Sequence, residues 1–351
     1  MSLQPRIGLD VCSSQFNAFI NSFAAAVRAT GATTAIIPHH FTELRDFDGV
    51  IFHWPYFLNA HCNKGHAFKA LLHLALAKRL YGLKIIWVAH NAVPHEGRGN
   101  RLLRWMFFRL LDGIVYLSQT SRSMVRQENP VAGRTHEMVT VHGSYQGFVA
   151  VSAIPPLAPE EPCRLLTFGL VRPYKGLDLL IEAAKAASGK LHLTVLGKIR
   201  DLSYAQALAR AASESACITL DLREEAIDDK ELEAAIDRAH GIVLPYRKIL
   251  NSGAAIHALS RNRPVLVPDQ GAMPELRTAL GSPWVHLFSN AIETADIDRF
   301  ADRLRQAAPC ARVDMAAFSW TRVTDDLARC FADLGIVTRP EKQRARTEHV
   351  S

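Results

Sequence analysis

Cysteine pairs, long apolar runs and a signal peptide are all missing from this sequence. Its six cysteines are scattered along 351 residues with no CxxC spacing, which argues against a zinc site or a disulfide framework and predicts buried thiols. No apolar run approaches the roughly 20 residues of a membrane span. The opening MSLQPRIGLD lacks the charged and then apolar pattern of a secretory signal. These absences predict a protein that stays in the cytoplasm.

Glycine and proline are also few, at 20 and 17 residues, while hydrophobic residues make up 48% and charged residues 21% of the chain. This is ordinary globular composition, and it excludes a disordered, collagen-like or repeat-biased protein. The length is about twice that of a usual domain, so we expect two compact α/β domains.

Acidic residues are scarce in one half of the chain only. Residues 1–150 contain 15 Lys and Arg against 8 Asp and Glu, whereas residues 151–351 contain 26 of each kind. The formal net charge of +7 therefore lies in the first half, which also holds ten of the 15 histidines. This half is expected to meet an anionic partner: nucleic acid, an anionic membrane or a phosphorylated substrate.

Apolar β-branched runs alternate with helical stretches on both sides of one proline-rich segment, VSAIPPLAPEEP at 151–162, which is typical of a linker. The alternation predicts an α/β protein with a doubly wound, Rossmann-like sheet in each half. We assign 1–150 to an N-terminal domain, 163–338 to a C-terminal domain and 339–351 to a flexible tail. The carboxyl ends of the strands are then expected to face a ligand cleft between the domains.

Two elements of the second half suit a diphosphate. FGLVRPYKG follows a predicted strand and carries Arg172, Lys175 and Gly176 into a helix. Further on, Asn251 and Ser252 are good N-caps, and Gly253 would let a ligand approach the helix start. Taken singly, the first element could be a basic loop with a turn glycine, and the second an ordinary capped helix. Their pairing in one domain favours binding.

These motifs resemble the donor-sugar domain of GT-B glycosyltransferases. With HWPYFLN, HNAVPHEGRG, HGSY, LPY and NSG, the set is similar to bacterial glycolipid β-mannosyltransferases of xanthan-type exopolysaccharide assembly, over nearly the whole chain except the tail. The resemblance implies a GT-B fold in which Arg172 and Lys175 hold the nucleotide diphosphate. We also predict that Gly176, Tyr246, Asn251, Ser252 and Gly253 line the donor site.

One departure from the common retaining GT-B enzymes is informative. Those enzymes carry two glutamates around this helix, at positions that fall here on Ile249 and His257. Neither residue is acidic, which fits the inverting, mannosyltransferase-like group. Glu275 then remains the candidate for a ribose contact.

An inverting transfer needs a base on the acceptor hydroxyl. The resemblance places that base in the N-terminal domain, where Glu96, His90 and Asp10 are the candidates. His53, Trp54, His95, His142 and Tyr145 are predicted to bind the acceptor. Each histidine could instead be a hydrogen-bonded structural group, and Asp10 could cap a helix.

No cofactor or metal is expected. The Asp-x-Asp pairs at Asp46 and Asp48 and at Asp296 and Asp298 do not follow strands, unlike the metal-binding motif of other glycosyltransferases. The diphosphate charge would be met by Arg172, Lys175 and a helix N-terminus.

The segment NRLLRWMFFRLLD at 100–112 predicts an interfacial helix. Its apolar face is backed by a face on which aromatic side chains alternate with arginines, as in helices that lie among lipid headgroups. The alternative is a core helix whose aromatic residues are covered by the protein. The predicted membrane residues are Arg101, Arg104, Trp105, Phe108 and Arg109.

We therefore expect a glycosyltransferase, peripheral on the inner face of the cell membrane, that transfers mannose from GDP-mannose to a polyprenyl-diphosphate-linked oligosaccharide with inversion. A UDP-sugar donor and a non-catalytic nucleotide-sugar-binding protein are the alternatives. Binding of nucleic acid is not expected, because no recognisable nucleic-acid module is present.

Overall fold

The computed structural model describes residues 2–11, 18–59, 62–91, 100–130, 132, 135–145, 150–187, 190–307, 312–336 and 339–340. These residues form two units. The first consists of the described parts of Met1–Gly143 and Ala317–Ser351, and the second of those of Ser144–Ala316.

The first unit contains a parallel sheet that is covered by helices. After a short β1 (Ser2–Leu3), its described strands are β2 (Arg6–Leu9), β3 (Thr33–Ile36), β4 (Gly49–Phe52), β5 (Lys84–Ala89), β6 (Gly113–Tyr116) and β7 (His136–Val139). They lie in the order β3-β2-β4-β5-β6-β7, and every neighbouring pair is parallel. The helices between them are α1 (Ala18–Ala29), α2 (Lys64–Tyr81), α3 (Arg101–Leu110) and α4 (Gln119–Glu128).

Local sequence signals fix where three of these helices begin. The side chain of Asn63 accepts a hydrogen bond from a backbone N–H in the first turn of α2, and Asn100 and Ser118 do the same for α3 and α4. Helix α2 ends at Gly82, whose φ of 72° is the left-handed conformation that glycine adopts most easily.

The second unit also contains a parallel sheet that is covered by helices. Its described strands are β8 (Cys163–Val171), β9 (Leu191–Ile199), β10 (Ile218–Arg223), β11 (Gly241–Val243), β12 (Val265–Pro268) and β13 (Val285–Phe288). They form a parallel sheet in the order β10-β9-β8-β11-β12-β13, the strand order of a Rossmann fold. Its helices are α5 (Leu177–Lys185), α6 (Leu202–Ala212), α7 (Asp229–Arg238), α8 (Gly253–Ser260), α9 (Met273–Leu280) and α10 (Thr294–Ala307).

The last helix, α11 (Trp320–Asp333), packs in the first unit and not in the second, to which the predicted boundaries assigned it. It lies against α1, and Asp326 accepts a 2.7 Å hydrogen bond from the Thr140 hydroxyl. A short β14 (Arg339–Pro340) then pairs with β1. The apolar face of α11 predicts burial, but its sequence does not indicate which of two similar sheets it covers.

The turn after α8 is stabilised by two wholly buried arginines, Arg261 and Arg263. Arg261 pairs with Asp237 and donates to the carbonyl of Ala150, and Arg263 donates to Ser152. Between them, Asn262 has a positive φ of 60° and accepts a hydrogen bond from the backbone N–H of Val313. The turn therefore holds both segments by which the chain enters and leaves this unit.

We predict that Arg263→Leu lowers the free energy of unfolding of the second unit by about 3–5 kcal/mol, because buried carbonyls lose a charged donor. Urea unfolding followed by circular dichroism measures the change. Arg210→Leu, on the exposed face of α6, is the matched control and should stay within about 0.5 kcal/mol of the parent. An equally small loss for Arg263→Leu would contradict the assigned role.

Candidate active site

The strand order reverses once in each sheet, and predicted site residues lie beside both reversals. In the second unit it reverses between β8 and β11, and in the first between β2 and β4. Ligands of open α/β sheets bind at the carboxyl ends of the strands beside such a reversal. The RPYKG loop follows β8 and LPYRK follows β11, while Asp10 follows β2 and His53 follows β4.

Contacts between the two loops of the second unit fix the RPYKG loop. After a single 3-10 turn, Pro173–Lys175, Gly176 has a φ of 68°, and a Cβ atom there would lie 2.2 Å from the carbonyl oxygen of Pro245. Only glycine fits this approach. Arg247 donates from its backbone N–H to the carbonyl of Tyr174 at 3.0 Å and pairs through its guanidinium with Asp178.

Lys175 is the best-defined cation of this site. Its Nζ donates to the hydroxyl of Tyr246 at 3.0 Å and lies 4.1 Å from the centroid of the same ring. Burial acts to lower the pKa of Lys175, but Tyr246 and Tyr174 outweigh it and leave the pKa raised. The ammonium is therefore charged at neutral pH. Arg172 immediately precedes the turn and is half-buried.

The start of α8 lies beside the start of α9. Ser252 caps α8 by accepting from the N–H of Ala255 at 3.1 Å, and Gly253 follows as the first helical residue. Gly271 has a φ of 57° and packs closely on the loop that precedes α8. A Cβ atom at this position would lie 2.6 Å from the carbonyl oxygen of Leu250. This contact brings the first turn of α9, with Glu275, to the loop that carries Asn251.

His257 is enclosed by aromatic rings. It stacks on Tyr145 with centroids 4.4 Å apart and meets Phe168 edge-on. Burial, followed by the charge of Arg261, lowers the pKa of His257 to about 4. Its Nε2 is buried with no hydrogen-bond partner among the described residues. The imidazole of His257 is therefore neutral at neutral pH.

Tyr145 and His142, predicted together as acceptor-binding residues, lie in different units. Tyr145 belongs to the second unit, where its backbone N–H donates to Ser260 on α8 at 3.0 Å. His142 belongs to the first unit and donates from Nδ1 to the carbonyl of Gly143 at 3.1 Å. The tyrosine therefore lies among residues of the second unit.

The site of the first unit is centred on two histidines. Nδ1 of His53 and Nε2 of His90 are 3.0 Å apart, so one ring donates and the other accepts. Asp10 accepts from the backbone N–H groups of His53 and Trp54, both at 2.9 Å, and fixes the turn after β4. The half-exposed Trp54 stacks on His90 with centroids 4.5 Å apart.

Burial controls the charge of this cluster. It lowers the pKa of His53 to about 3 and that of His142 to about 4, and it lowers the pKa of His90 well below its ordinary value, with further contributions from His53 and His142. The pKa of Asp10 is raised by burial, which its backbone hydrogen bonds only partly offset. The imidazoles are therefore neutral at neutral pH, which is the form that can accept a proton, and their lowered pKa values make them weaker bases than a free histidine.

Phe19 also belongs to the cluster, although no sequence motif predicts it. Its ring contacts those of His53, His90 and His142, and it also packs against Trp320. A phenylalanine in the first turn of an apolar helix is indistinguishable in sequence from an ordinary core residue. Only the topology brings it to the carboxyl edge of the sheet.

Two predicted residues, His95 and Glu96, lie outside the described residues. One membrane residue is corrected: Phe108 is buried and packs edge-on against Trp87, because α3 directs this ring toward the sheet. Arg101, Trp105 and Arg109 are exposed, and Arg104 is half-buried. Within the described ranges, no helix is both long and apolar enough to cross a bilayer, and no cluster of three or more ligating side chains is arranged for a metal.

No protein-family model matches the sequence. A GDP-mannose:glycolipid 4-beta-D-mannosyltransferase of Xanthomonas campestris pv. campestris is 28% identical over 337 residues, which cover 91% of this chain and 90% of that protein. A protein of the same name from a designated strain of this pathovar is 28% identical over 333 residues, with the same coverage.

Solved structures show the same fold. HepE of Anabaena in complex with UDP-glucose superposes with a TM-score of 0.66 at 12% identity, covering 94% of this chain and 100% of that one. Sucrose-phosphate synthase of Thermosynechococcus elongatus gives a TM-score of 0.65 at 11% identity, with coverage of 95% and 99%. The predicted fold class is confirmed: the chain has the GT-B fold of these glycosyltransferase structures. Along 91% of its length it resembles bacterial glycolipid β-mannosyltransferases.

We predict that the first unit loses stability in acid. His53, His90 and His142 have lower pKa values folded than unfolded, so below the ordinary histidine pKa of about 6.5 the unfolded chain binds more protons. Stability is full above that pH and falls as the pH decreases toward 4, by up to about 1.4 kcal/mol per pH unit for each histidine. Urea unfolding between pH 7.5 and 4.5 measures this slope.

His142→Phe should flatten the slope, since it removes one of the three buried groups. His66→Phe, a change at an exposed position of α2, is the control and should leave the slope as it is. Equal slopes for both variants would contradict the electrostatic argument.

Proposed function

We propose that this glycosyltransferase transfers mannose from GDP-mannose to a polyprenyl-diphosphate-linked oligosaccharide, with inversion to a β-linkage, on the inner face of the cell membrane during exopolysaccharide assembly. The Xanthomonas relatives, named for GDP-mannose and a glycolipid acceptor, support the substrates. The single observation that carries the mechanism is the content of the two strand reversals: that of the second unit holds a charged Lys175, and that of the first unit holds neutral, hydrogen-bonded His53 and His90.

The donor diphosphate binds the second unit in this proposal. Lys175 and Arg172 neutralise its charge, and the N-terminus of α8, with Asn251, Ser252 and Gly253, adds backbone N–H groups. Glu275 contacts the ribose. The fixed cations then stabilise the GDP that leaves as its bond to the anomeric carbon breaks.

The acceptor hydroxyl attacks that carbon from the opposite side and must lose its proton. His90 is the favoured base, because its hydrogen bond with His53 orients the ring and the half-exposed Trp54 stacks on it. Asp10 and Glu96 are the other candidates. Trp54, half-exposed beside His90, offers an aromatic face to an acceptor sugar.

We predict that Lys175→Ala weakens GDP-mannose binding at least about tenfold, because a charged contact to the diphosphate is worth about 1.5–3 kcal/mol. Calorimetry with GDP-mannose, UDP-glucose and UDP-glucuronate measures affinity and selectivity together. Lys185→Ala, on the far end of α5, is the matched control. Selective binding of a UDP-sugar would replace the donor and keep the mechanism, whereas unchanged affinity in Lys175→Ala would refute the diphosphate site.

We predict that His90→Gln lowers kcat by about 10²–10⁴-fold, the usual contribution of a general base, while GDP-mannose affinity stays unchanged. Radiolabelled mannose transfer to a lipid-linked acceptor measures kcat, with His66→Gln as the control. A kcat within threefold of the parent would move the base to Asp10 or Glu96. Donor binding with no turnover in the parent protein would favour a non-catalytic binding protein, the reading suggested by His257 in place of glutamate.

A further inference from the structure

One helix of the first unit exposes an unbroken row of large apolar side chains. Phe68, Leu72, Leu76 and Leu80 are 48%, 45%, 40% and 60% exposed. Their spacing of four residues places them one above another on a single face of α2. The opposite face buries Ala67, Leu71, Leu74 and Ala77. The row is therefore a second apolar face, in addition to the one that holds the helix to the sheet.

Helix α3 adds to the same side of the unit. It exposes Leu102 at 59% and Trp105 at 53%, while Leu103 and Phe107 are buried in the cluster that also receives Leu71 and Leu74 of α2. Because both helices pack their inner faces into one core, their outer faces point away from the sheet on the same side. Lys78 of α2 donates a hydrogen bond to the carbonyl of Leu110 in α3 at 2.7 Å and so links the two helices.

The charged side chains of these two helices all have one sign. Neither α2 nor α3 contains an aspartate or a glutamate. Five of their cations are exposed, and among the described residues none of the five forms an ion pair: Lys64, Lys69, Arg79, Arg101 and Arg109. The guanidinium of Arg109 lies 5.6 Å from the centroid of the Trp105 ring. We call the surface formed by Phe68, Leu72, Leu76, Leu80, Leu102, Trp105 and these cations the α2–α3 face.

We propose that the α2–α3 face docks the protein on an anionic lipid bilayer. The apolar row enters the boundary between headgroups and acyl chains, and the cations meet lipid phosphates. The inference rests on the proposed function only in that a lipid-linked acceptor lies in such a bilayer. The proposal assigns most of the apolar contact with the bilayer to α2. The sequence pattern had instead indicated α3, including Phe108, which is buried.

Charge and hydrophobicity together favour this partner over two others. A second copy of the chain would bring two sets of exposed cations together, which is repulsive. A nucleic acid would neutralise the cations but leave four leucines with no role, since phosphates and bases are bound by polar, cationic and aromatic groups. A bilayer with anionic lipids satisfies both kinds of side chain.

Co-sedimentation of the full chain with vesicles tests the proposal. The vesicles contain phosphatidylcholine and phosphatidylglycerol at 3:1, or phosphatidylcholine alone. Leu72→Gln/Leu76→Gln should reduce the partition coefficient on anionic vesicles by about tenfold or more, because two apolar side chains no longer leave water. Leu170→Gln/Leu202→Gln, at exposed positions of the second unit, is the matched control and should bind like the parent.

Lys69→Gln/Arg101→Gln tests the electrostatic part. It should weaken binding to anionic vesicles by roughly thirtyfold, at about 1 kcal/mol for each of the two cations, and make binding less sensitive to salt. Arg210→Gln/Arg238→Gln removes two exposed cations from the second unit and serves as the control. Far-UV circular dichroism checks that every variant is folded.

Parent protein that fails to sediment with anionic vesicles, or a Leu72→Gln/Leu76→Gln variant that sediments like the parent, would overturn the proposal. So would tight binding of a duplex RNA probe that persists in the leucine variant while vesicles are not bound. Mannose transfer to a short-chain, water-soluble acceptor separates this question from the proposed function. Transfer without vesicle binding refutes the docking face alone, and vesicle binding without transfer from GDP-mannose supports the face and refutes the donor assignment.

Discussion

Parallel strands can be joined only by crossovers, and this constraint determines where chemistry can occur in both units. In each sheet, strands are added first on one side of the initial strand and then on its other side. The connections that follow the two strands at this reversal run to opposite faces of the sheet. In the second unit this pair is β8 and β11, and the connections bring Lys175 to Tyr246. In the first it is β2 and β4, and they bring Asp10 to His53.

The ionisable groups of the two candidate sites have opposite charge states at neutral pH: neutral imidazoles in the first and a charged ammonium in the second. The first keeps three imidazoles neutral by enclosing them around Phe19, away from water. The second keeps an ammonium charged in spite of burial by placing it on the electron-rich face and hydroxyl of Tyr246. In the proposed single displacement, these groups serve as the proton acceptor and the fixed cation.

Much of this arrangement could be predicted from local sequence, and the remainder depends on long-range packing. The RPYKG loop and the capped start of α8 carry their own signals, since glycine and N-cap residues have steric and hydrogen-bonding reasons to be there. No such signal attaches α11 to the first unit, separates Tyr145 from His142 or buries Phe108. Each of those outcomes is decided by which of several apolar surfaces a side chain meets, and helical periodicity alone does not distinguish them.

The buried turn at Arg261 and Arg263 also determines where the chain can be truncated to give a stable second unit. A fragment that began at the predicted strand start, Cys163, would omit Ala150, Ser152 and Ala153, whose carbonyl oxygens receive these guanidinium groups. Two buried cations would then lack part of their solvation shell, and the fragment would contain its whole sheet yet be poorly stable. Residues that look like a connecting segment are thus a structural part of the domain they precede.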